Sequence, residues 1–414
     1  MPACRGIACL VHLPAVLGWP GRFAAAASLP HNSSIAKTAS TRPSRARVSS
    51  DSAQGRSAPH QTAQQTDARL GKIVRVLMSF PTVVISGTKL AQEIGANRSE
   101  VWRLIQQLRT LGVEIAGHPA SGYQLTAVPN LLLPEMLEPL VRGTIFGENV
   151  HHHYHHYYRV GSTNTLALEA AADDAPEGSV FLAEQQTAGR GRGSNQWHSE
   201  QSKGIYCSVV LRPTLPPSEV LTLSLAVGLA VQAAIRGIDS RVFPDLKWPN
   251  DVLIQGKKFC GILTEMNAEA TRVRYMVVGI GLNANQTSFP GDLEQTATSL
   301  CRATGTEWSR VELCAALLKS LDREYKELLA NPEAQAEILR RFEEHSSSAR
   351  GRHVRIEENG GFEGVTEGLD PRGFLRVRMH EGVRIVYSGT VKLKAVVSHQ
   401  RPEETDARPA TTDH

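Results

Sequence analysis

The 414 residues contain no Cys-x-x-Cys pair, no Gly-x-x-x-x-Gly-Lys-[Ser/Thr] phosphate loop and no run of 18 or more apolar residues. Each absence removes a class of protein. The six cysteines, Cys4, Cys9, Cys207, Cys260, Cys301 and Cys314, are too scattered for a zinc ribbon or a disulfide framework and read as reduced thiols of a cytoplasmic protein. Without a Walker loop, any nucleotide must be held by another device. Without a long apolar run, nothing is expected to cross a membrane. Aromatic residues are scarce at 6%, and the 21% of charged residues leave a net of only +4, which excludes a histone-like or wholly disordered chain. That small excess is unevenly placed. Residues 1–66 carry seven basic side chains against one acid, residues 68–126 carry seven against three, and residues 127–414 are net acidic.

Residues 1–66, rich in Ala, Ser, Pro and Arg, show neither a period of 2 nor one of 3.6 and read as a disordered tail; the stretch Ile7 to Trp19 leaves a signal peptide, and the Arg- and Ser-rich, acid-poor composition a transit peptide, as the alternatives. At Arg69 the character changes. Leu70, Ile73, Val74 and Leu77 recur at helical spacing, as do Leu90, Ala91 and Ile94 before a stop at Gly95, and then Val101, Leu104, Ile105 and Leu108. A β-hairpin pattern follows, with Val113 to Ile115 and Tyr123 to Leu125 flanking a Gly- and Pro-bearing turn, so residues 67–128 predict a winged helix-turn-helix. Arg98, Ser99, Arg103, Gln106 and Gln107 fall on the exposed side of its third helix, where they would contact DNA phosphates and base edges; Trp102 is assigned to the core.

Residues 129–347 mix strands (Tyr157–Val160, Val180–Ala183, Gly204–Leu211, Val252–Ile254, Gly261–Glu265, Arg274–Ile280) with helices (Thr163–Ala172, Val220–Ile235, Ser309–Leu329, Glu333–His345), the pattern of an α+β domain. Residues 348–397 turn to Gly-punctuated strands and predict a small β-barrel, and residues 398–414 a second polar tail.

Three segments carry chemistry. In Gly189-Arg190-Gly191-Arg192-Gly193-Ser194-Asn195-Gln196-Trp197, alternate glycines let backbone N–H groups approach an anion and the arginines supply fixed charge. Lys247-Trp248-Pro249-Asn250-Asp251 sets a cation, a rigid turn, an amide and a carboxylate before a strand, and Lys257-Lys258-Phe259-Cys260-Gly261 brings two lysines into the next. Val278-Gly279-Ile280-Gly281-Leu282-Asn283-Ala284 imitates a dinucleotide fingerprint, but loop residues follow where a helix is required, so no Rossmann site is expected. The tract His151-His152-His153-Tyr154-His155-His156 reads as a solvated edge strand rather than a metal site.

In this order behind Gly161-Ser162-Thr163-Asn164, the segments resemble biotin protein ligases, and with the winged helix in front, the bifunctional biotin ligase/biotin operon repressors. The resemblance spans about residues 68–397. It implies a class II synthetase-like catalytic domain followed by an SH3-like domain, with biotin and ATP as substrates, Mg2+ as the metal, and biotinyl-5′-AMP formed before transfer to a lysine of the biotin carboxyl carrier protein. Operator DNA of biotin synthesis genes and a homodimer of the adenylate-bound protein are the further partners implied. By position it puts Ser162, Thr163, Asn164, Gln186, Arg190, Gly191, Arg192 and Lys258 on biotin, Arg192, Trp197, Lys247, Asn250, Asp251 and Asn283 on ATP, and Arg190, Arg192, Lys258 and Asp251 in catalysis. Where many bacterial members continue Gly-Arg-Gly-Arg-x-Gly-Arg, this chain has Gly-Ser-Asn, closer to eukaryotic holocarboxylase synthetases. A lipoate-protein ligase is the nearest alternative enzyme, and a ligase whose helix-turn-helix no longer regulates transcription is another.

Overall fold

The computed structural model describes residues 59–147, 153–330, 333–357 and 360–393. Most of the two tails, residues 1–58 and 394–414, together with His151 and His152, therefore lies outside the described residues. Helix α1 (Pro59–Ser79) takes in eight residues that the sequence pattern assigned to the leading tail; proline is tolerated at a first helical position because its missing N–H has no partner there, and a Gln- and Ala-rich sequence favours helix.

Helices α2 (Gly87–Ile94) and α3 (Arg98–Thr110) are capped by Ser86 and Asn97, whose side chains accept the N–H groups of Lys89 and Glu100 at 3.1 and 2.8 Å. Gly95, at φ 64°, makes the turn between them. Strands β1 (Ile115–His118) and β2 (Gly122–Leu125) form the wing. Gly122 is needed where β2 passes residue 85, since a Cβ there would lie 2.0 Å from the Ile85 carbonyl oxygen. The apolar rows expected of the three helices are buried together. Trp102 is not among them. It stands 59% exposed, because the buried row of α3 runs through 101, 104, 105 and 108 and position 102 points away from it.

After α4 (Pro134–Val141) comes a seven-stranded sheet. Its strands, β3 (Tyr154–Tyr157), β4 (Val180–Ala183), β5 (Gly204–Leu211), β6 (Asp245–Lys247), β7 (Asp251–Ile254), β8 (Lys257–Ala268) and β9 (Val273–Asn283), lie in the order β3-β4-β5-β9-β8-β7-β6. Only β3 and β4 are parallel. The strand read at Tyr157–Val160 lies three residues earlier, in the His/Tyr tract that offers no apolar alternation to fix its register. The helices α5 (Thr163–Ala172) and α6 (Val220–Ile238) cover opposite faces. On one face Ala167 and Ala171 of α5 pack on Phe181, Val210 and Val277; on the other, α6, α7 (Arg310–Ala330) and α8 (Ala334–Glu344) bury Leu225, Ala226, Leu229, Leu317 and Leu321 against Val278, Ile280 and Leu282. Helix α6 is long and apolar enough by composition to cross a membrane, with thirteen of its residues buried in this core.

The last described segment is a five-stranded antiparallel sheet of β10 (Arg350–Glu357), β11 (Phe362–Leu369), β12 (Leu375–Met379), β13 (Gly382–Val386) and β14 (Thr390–Leu393), ordered β13-β12-β11-β10-β14. It is fastened to the seven-stranded sheet by the buried Trp248, whose Nε1 donates to the Gly373 carbonyl at 2.9 Å.

Candidate active site

Because side chains alternate across a strand, the ladder registers fix which residues share the α5 face of the sheet. One row across it is Asp251, Gly261, Gly281 and Tyr206; the next is Leu263, Gly279, Ser208 and Phe181. Three of these eight positions are glycine, and the space they leave is used. A Cβ on Gly279 would come within 2.0 Å of Asn164 Oδ1, and Cβ atoms on Gly261 and Gly281 within 2.9 and 2.5 Å of the Trp197 ring. The Gly-Ile-Gly of β9 is thus a pair of seats, for an amide from α5 and an indole from the Gly/Arg loop. The strand runs unbroken through both glycines, in keeping with the absence of a Rossmann turn.

The loop is a tight hairpin closed by Gly191 N to Asn195 O at 2.8 Å and Trp197 N to Gly189 O at 2.9 Å. It lies over a cleft of about 290 Å³. At the inner end the Thr163 N–H and hydroxyl donate to Gln186 Oε1 at 2.8 and 3.1 Å, while Ser208 Oγ lies 2.8 and 2.6 Å from Thr163 Oγ1 and Asn164 Oδ1. Asn164 Nδ2 donates to Glu265 at 2.9 Å, and the same carboxylate oxygen takes Arg190 Nη2 at 2.7 Å. At the outer end Lys258 Nζ pairs with Asp251 Oδ1 at 2.6 Å and lies 5.6 Å from the centre of the Trp197 ring, and Arg192 Nη1 donates to Asn250 Oδ1 at 3.4 Å. Burial lowers the Arg192 guanidinium, opposed by the Asp251 charge. From the C-terminal sheet Gly389, Thr390 and Val391 complete the rim.

Every residue singled out on the sequence for biotin or catalysis lines this cleft, as do Arg192, Trp197, Lys247, Asn250 and Asp251 of the nucleotide set. Asn283 does not. It faces an adjoining cavity shared with Trp197, Lys247, Asp251 and Lys258, and its amide is bound to Thr298 O at 3.1 Å. Sequence reasoning missed Ser208 and Glu265, which join residues far apart in the chain; Gly279 was seen, but as part of a false fingerprint. Among the described residues no group of three or more His, Cys, Asp or Glu could hold a metal ion.

Beneath the cleft is a second charged group that no motif announced. Glu184, two residues before Gln186, is fully buried and pairs with the fully buried Arg310 at 2.8 Å and with His156 at 3.0 Å, and it accepts the Leu132 N–H at 2.9 Å. Burial acts to raise its carboxyl, but Arg310 and His156 hold it down at about 2. Arg310 also donates to Gly204 O at 3.0 Å and to Asn130 O. The described part of the tract from Tyr154 on is accordingly an edge strand, but not a solvated one: His156 is enclosed by this pair and His155 stacks on Phe181 at 4.5 Å. Close by, Asp67 of α1 accepts the Tyr158 N–H at 3.1 Å, and burial raises its carboxyl to about 6.

In the winged helix, Arg98, Ser99 and Gln106 share a groove between α3 and the wing with Trp102, Arg109, His118 and Tyr123. Arg103 and Gln107 lie outside it; Arg103 is bound to Glu100 on its own helix at 2.8 Å.

Three family models match in chain order: an HTH domain over residues 69–124, the Biotin/lipoate A/B protein ligase family over 157–283, and the Biotin protein ligase C terminal domain over 350–394. The chain is 36% identical over 315 residues to the bifunctional ligase/repressor BirA of Bacillus subtilis, covering 75% of this chain and 94% of that one. It is 26% identical to BirA of Escherichia coli over 75% and 93% of the two chains, and 35% identical to the biotin--[acetyl-CoA-carboxylase] ligase of Mycobacterium tuberculosis over 56% and 86%. Among solved structures, the biotin protein ligase of Aquifex aeolicus in complex with biotin and ATP matches 58% of this chain and 98% of its own, with a TM-score of 0.51 and 30% identity.

Proposed function

The chain belongs to the biotin protein ligase family in its bifunctional ligase/repressor form, and from that premise we propose that it joins biotin to ATP as biotinyl-5′-AMP and passes the biotinyl group to a lysine of the biotin carboxyl carrier protein. The observation that carries this reading is the convergence of Arg190, Arg192 and Lys258 over a floor of amides, hydroxyls and glycines in one cleft. A carboxylate is a weak nucleophile and the α-phosphate repels it, so adenylation needs cations that neutralise both and hold them in line.

Ser162, Thr163, Asn164, Gln186 and the backbone at Gly191 bind the ureido ring and its side chain at the inner end. Arg190, Arg192 and Lys258 take the carboxylate and α-phosphate, with Lys258 exchanging Asp251 for the incoming oxygens. Trp197, Lys247, Asn250 and Asp251 hold the nucleotide, with Asn283 behind them. The residues fit Mg2+: it takes one or two carboxylates from protein and completes its shell with phosphate and water, and Asp251 beside Asn250 offers that donor set. When bound, the ion supplies charge neutralisation on the phosphates. The biotin carboxylate attacks the α-phosphorus and pyrophosphate leaves. In the second step the carrier lysine attacks the acyl carbon, a C–N bond forms and AMP departs. A closed Gly/Arg loop keeps water from the mixed anhydride.

Incubation with biotin, ATP, Mg2+ and a carrier domain is expected to add one biotinyl group to one lysine and release AMP; absence of product rejects the reading, and product with lipoic acid in place of biotin assigns the alternative ligase. The winged helix supports a second, biotin-responsive role as repressor of biotin synthesis genes in the cytoplasm, with the adenylate favouring a homodimer on operator DNA. We take residues 67–128, 129–347 and 348–397 as the three working domains.

A further inference from the structure

Trp102 is the largest exposed apolar side chain of α3, and its position is specific. Arg98 stands one turn before it and Gln106 one turn after, at the four-residue spacing that sets side chains in line on one face. The groove they share with the wing, about 600 Å³, has no Asp or Glu in its lining, and Glu100, the acid nearest along the helix, is held outside it by Arg103 at 2.8 Å and Arg69 at 3.9 Å. Arg109, at the far end of the groove, is committed to the Ile115 carbonyl at 2.8 Å. The guanidinium of Arg98 has no ion pair or hydrogen bond among the described residues.

A concave, cationic, acid-free groove between a recognition-type helix and a wing is complementary to duplex DNA, whose phosphates present a dense negative charge. Within a major groove the apolar feature that distinguishes one base pair from another is the thymine 5-methyl group. We propose that Trp102 is a specificity-determining residue that packs on a thymine methyl, between a base or phosphate contact from Arg98 and one from Gln106. The proposal rests on the DNA-binding reading above. It also gives the indole a reason to stand in water, where an ordinary tryptophan would be covered.

The test uses a duplex selected from a random pool by the full chain in the presence of biotin, ATP and Mg2+, then resynthesised with deoxyuridine replacing one thymine at a time. Loss of one methyl contact is expected to weaken wild-type binding about fourfold at one thymine per half-site. Trp102→Phe, which keeps an apolar ring, retains that dependence, whereas Trp102→Ala binds the thymine and deoxyuridine duplexes equally. Wild type that is indifferent to every such replacement, or Trp102→Ala that keeps the wild-type pattern, overturns the proposal while leaving DNA binding intact. Self-association lost in Trp102→Ala with no thymine effect would assign the indole to a protein contact and overturn it as well. If wild type selects no duplex, the DNA-binding reading fails and this inference with it.

Discussion

The same chemistry, a carboxylate facing a cation, is used in opposite ways in and under the cleft. Glu184 and Arg310 are wholly withdrawn from water. Lys258 and Asp251, and Arg190 and Glu265, keep between a fifth and two-fifths of their side-chain surface exposed. An exposed pair gains little from its Coulomb energy because water competes for both partners, so an arriving anion can displace the carboxylate at small cost. A buried pair has no such exchange open to it, since removing either partner strands a charge in low dielectric. Burial, and not distance, separates the working cations from the structural one: the two kinds of pair are 2.6 to 2.8 Å apart alike.

The sharpest way to break this comparison is Arg310→Met. It leaves Glu184 buried without its countercharge and is expected to cost about 3–5 kcal/mol of stability, read as a lower thermal midpoint. Adding Glu184→Leu should restore most of the loss; if the double variant is no more stable than the single one, Arg310 acts through packing and not through charge. Next comes acid. The Glu184 carboxyl lies at about 2 when folded against an ordinary 4.5, so its stabilisation is complete above pH 4.5 and is lost as pH falls from there through about 2, where the unfolded chain binds the proton first. The loss amounts to about 3 kcal/mol, and the Arg310→Met/Glu184→Leu double variant should unfold over this window with a visibly shallower pH dependence. Last, Lys258→Ala should slow adenylate formation about a hundredfold while moving the midpoint by less than about 1 kcal/mol allows. A large drop in stability with normal adenylation would reverse the roles assigned to the two kinds of pair.

Much of the fold could be read from the sequence where apolar runs are continuous and bounded by glycine or a capping residue: the strands Val180–Ala183 and Gly204–Leu211 and the helix Thr163–Ala172 match to the residue. The Gly/Arg loop, Lys247 to Asp251 and Lys258 were legible because each is contiguous. Ser208 and Glu265 were not, since what makes them part of the site is cross-strand register, which no local pattern encodes. The Glu184–Arg310 pair was hidden because it joins the residue after β4 to the first residue of α7, a tertiary contact that no local pattern encodes, and its concealment made the histidine tract look solvated. Trp102 was misread by habit of residue type, although its neighbours Val101, Leu104, Ile105 and Leu108 already define a stripe that excludes it.

Helix α6 sets an order on the making of this protein. One part of its buried surface lies on the sheet and the rest is covered by α7 and α8, which lie at the far side of the catalytic sequence, so a nascent chain leaves that part uncovered through the synthesis of some hundred further residues. Translation supplies those residues over roughly 5–20 s. During that interval the segment would pass by length and composition for a membrane-spanning helix, and its burial in the folded core is what tells the two apart. The last helices, which do not line the cleft, are thus part of what makes this apolar segment a core helix.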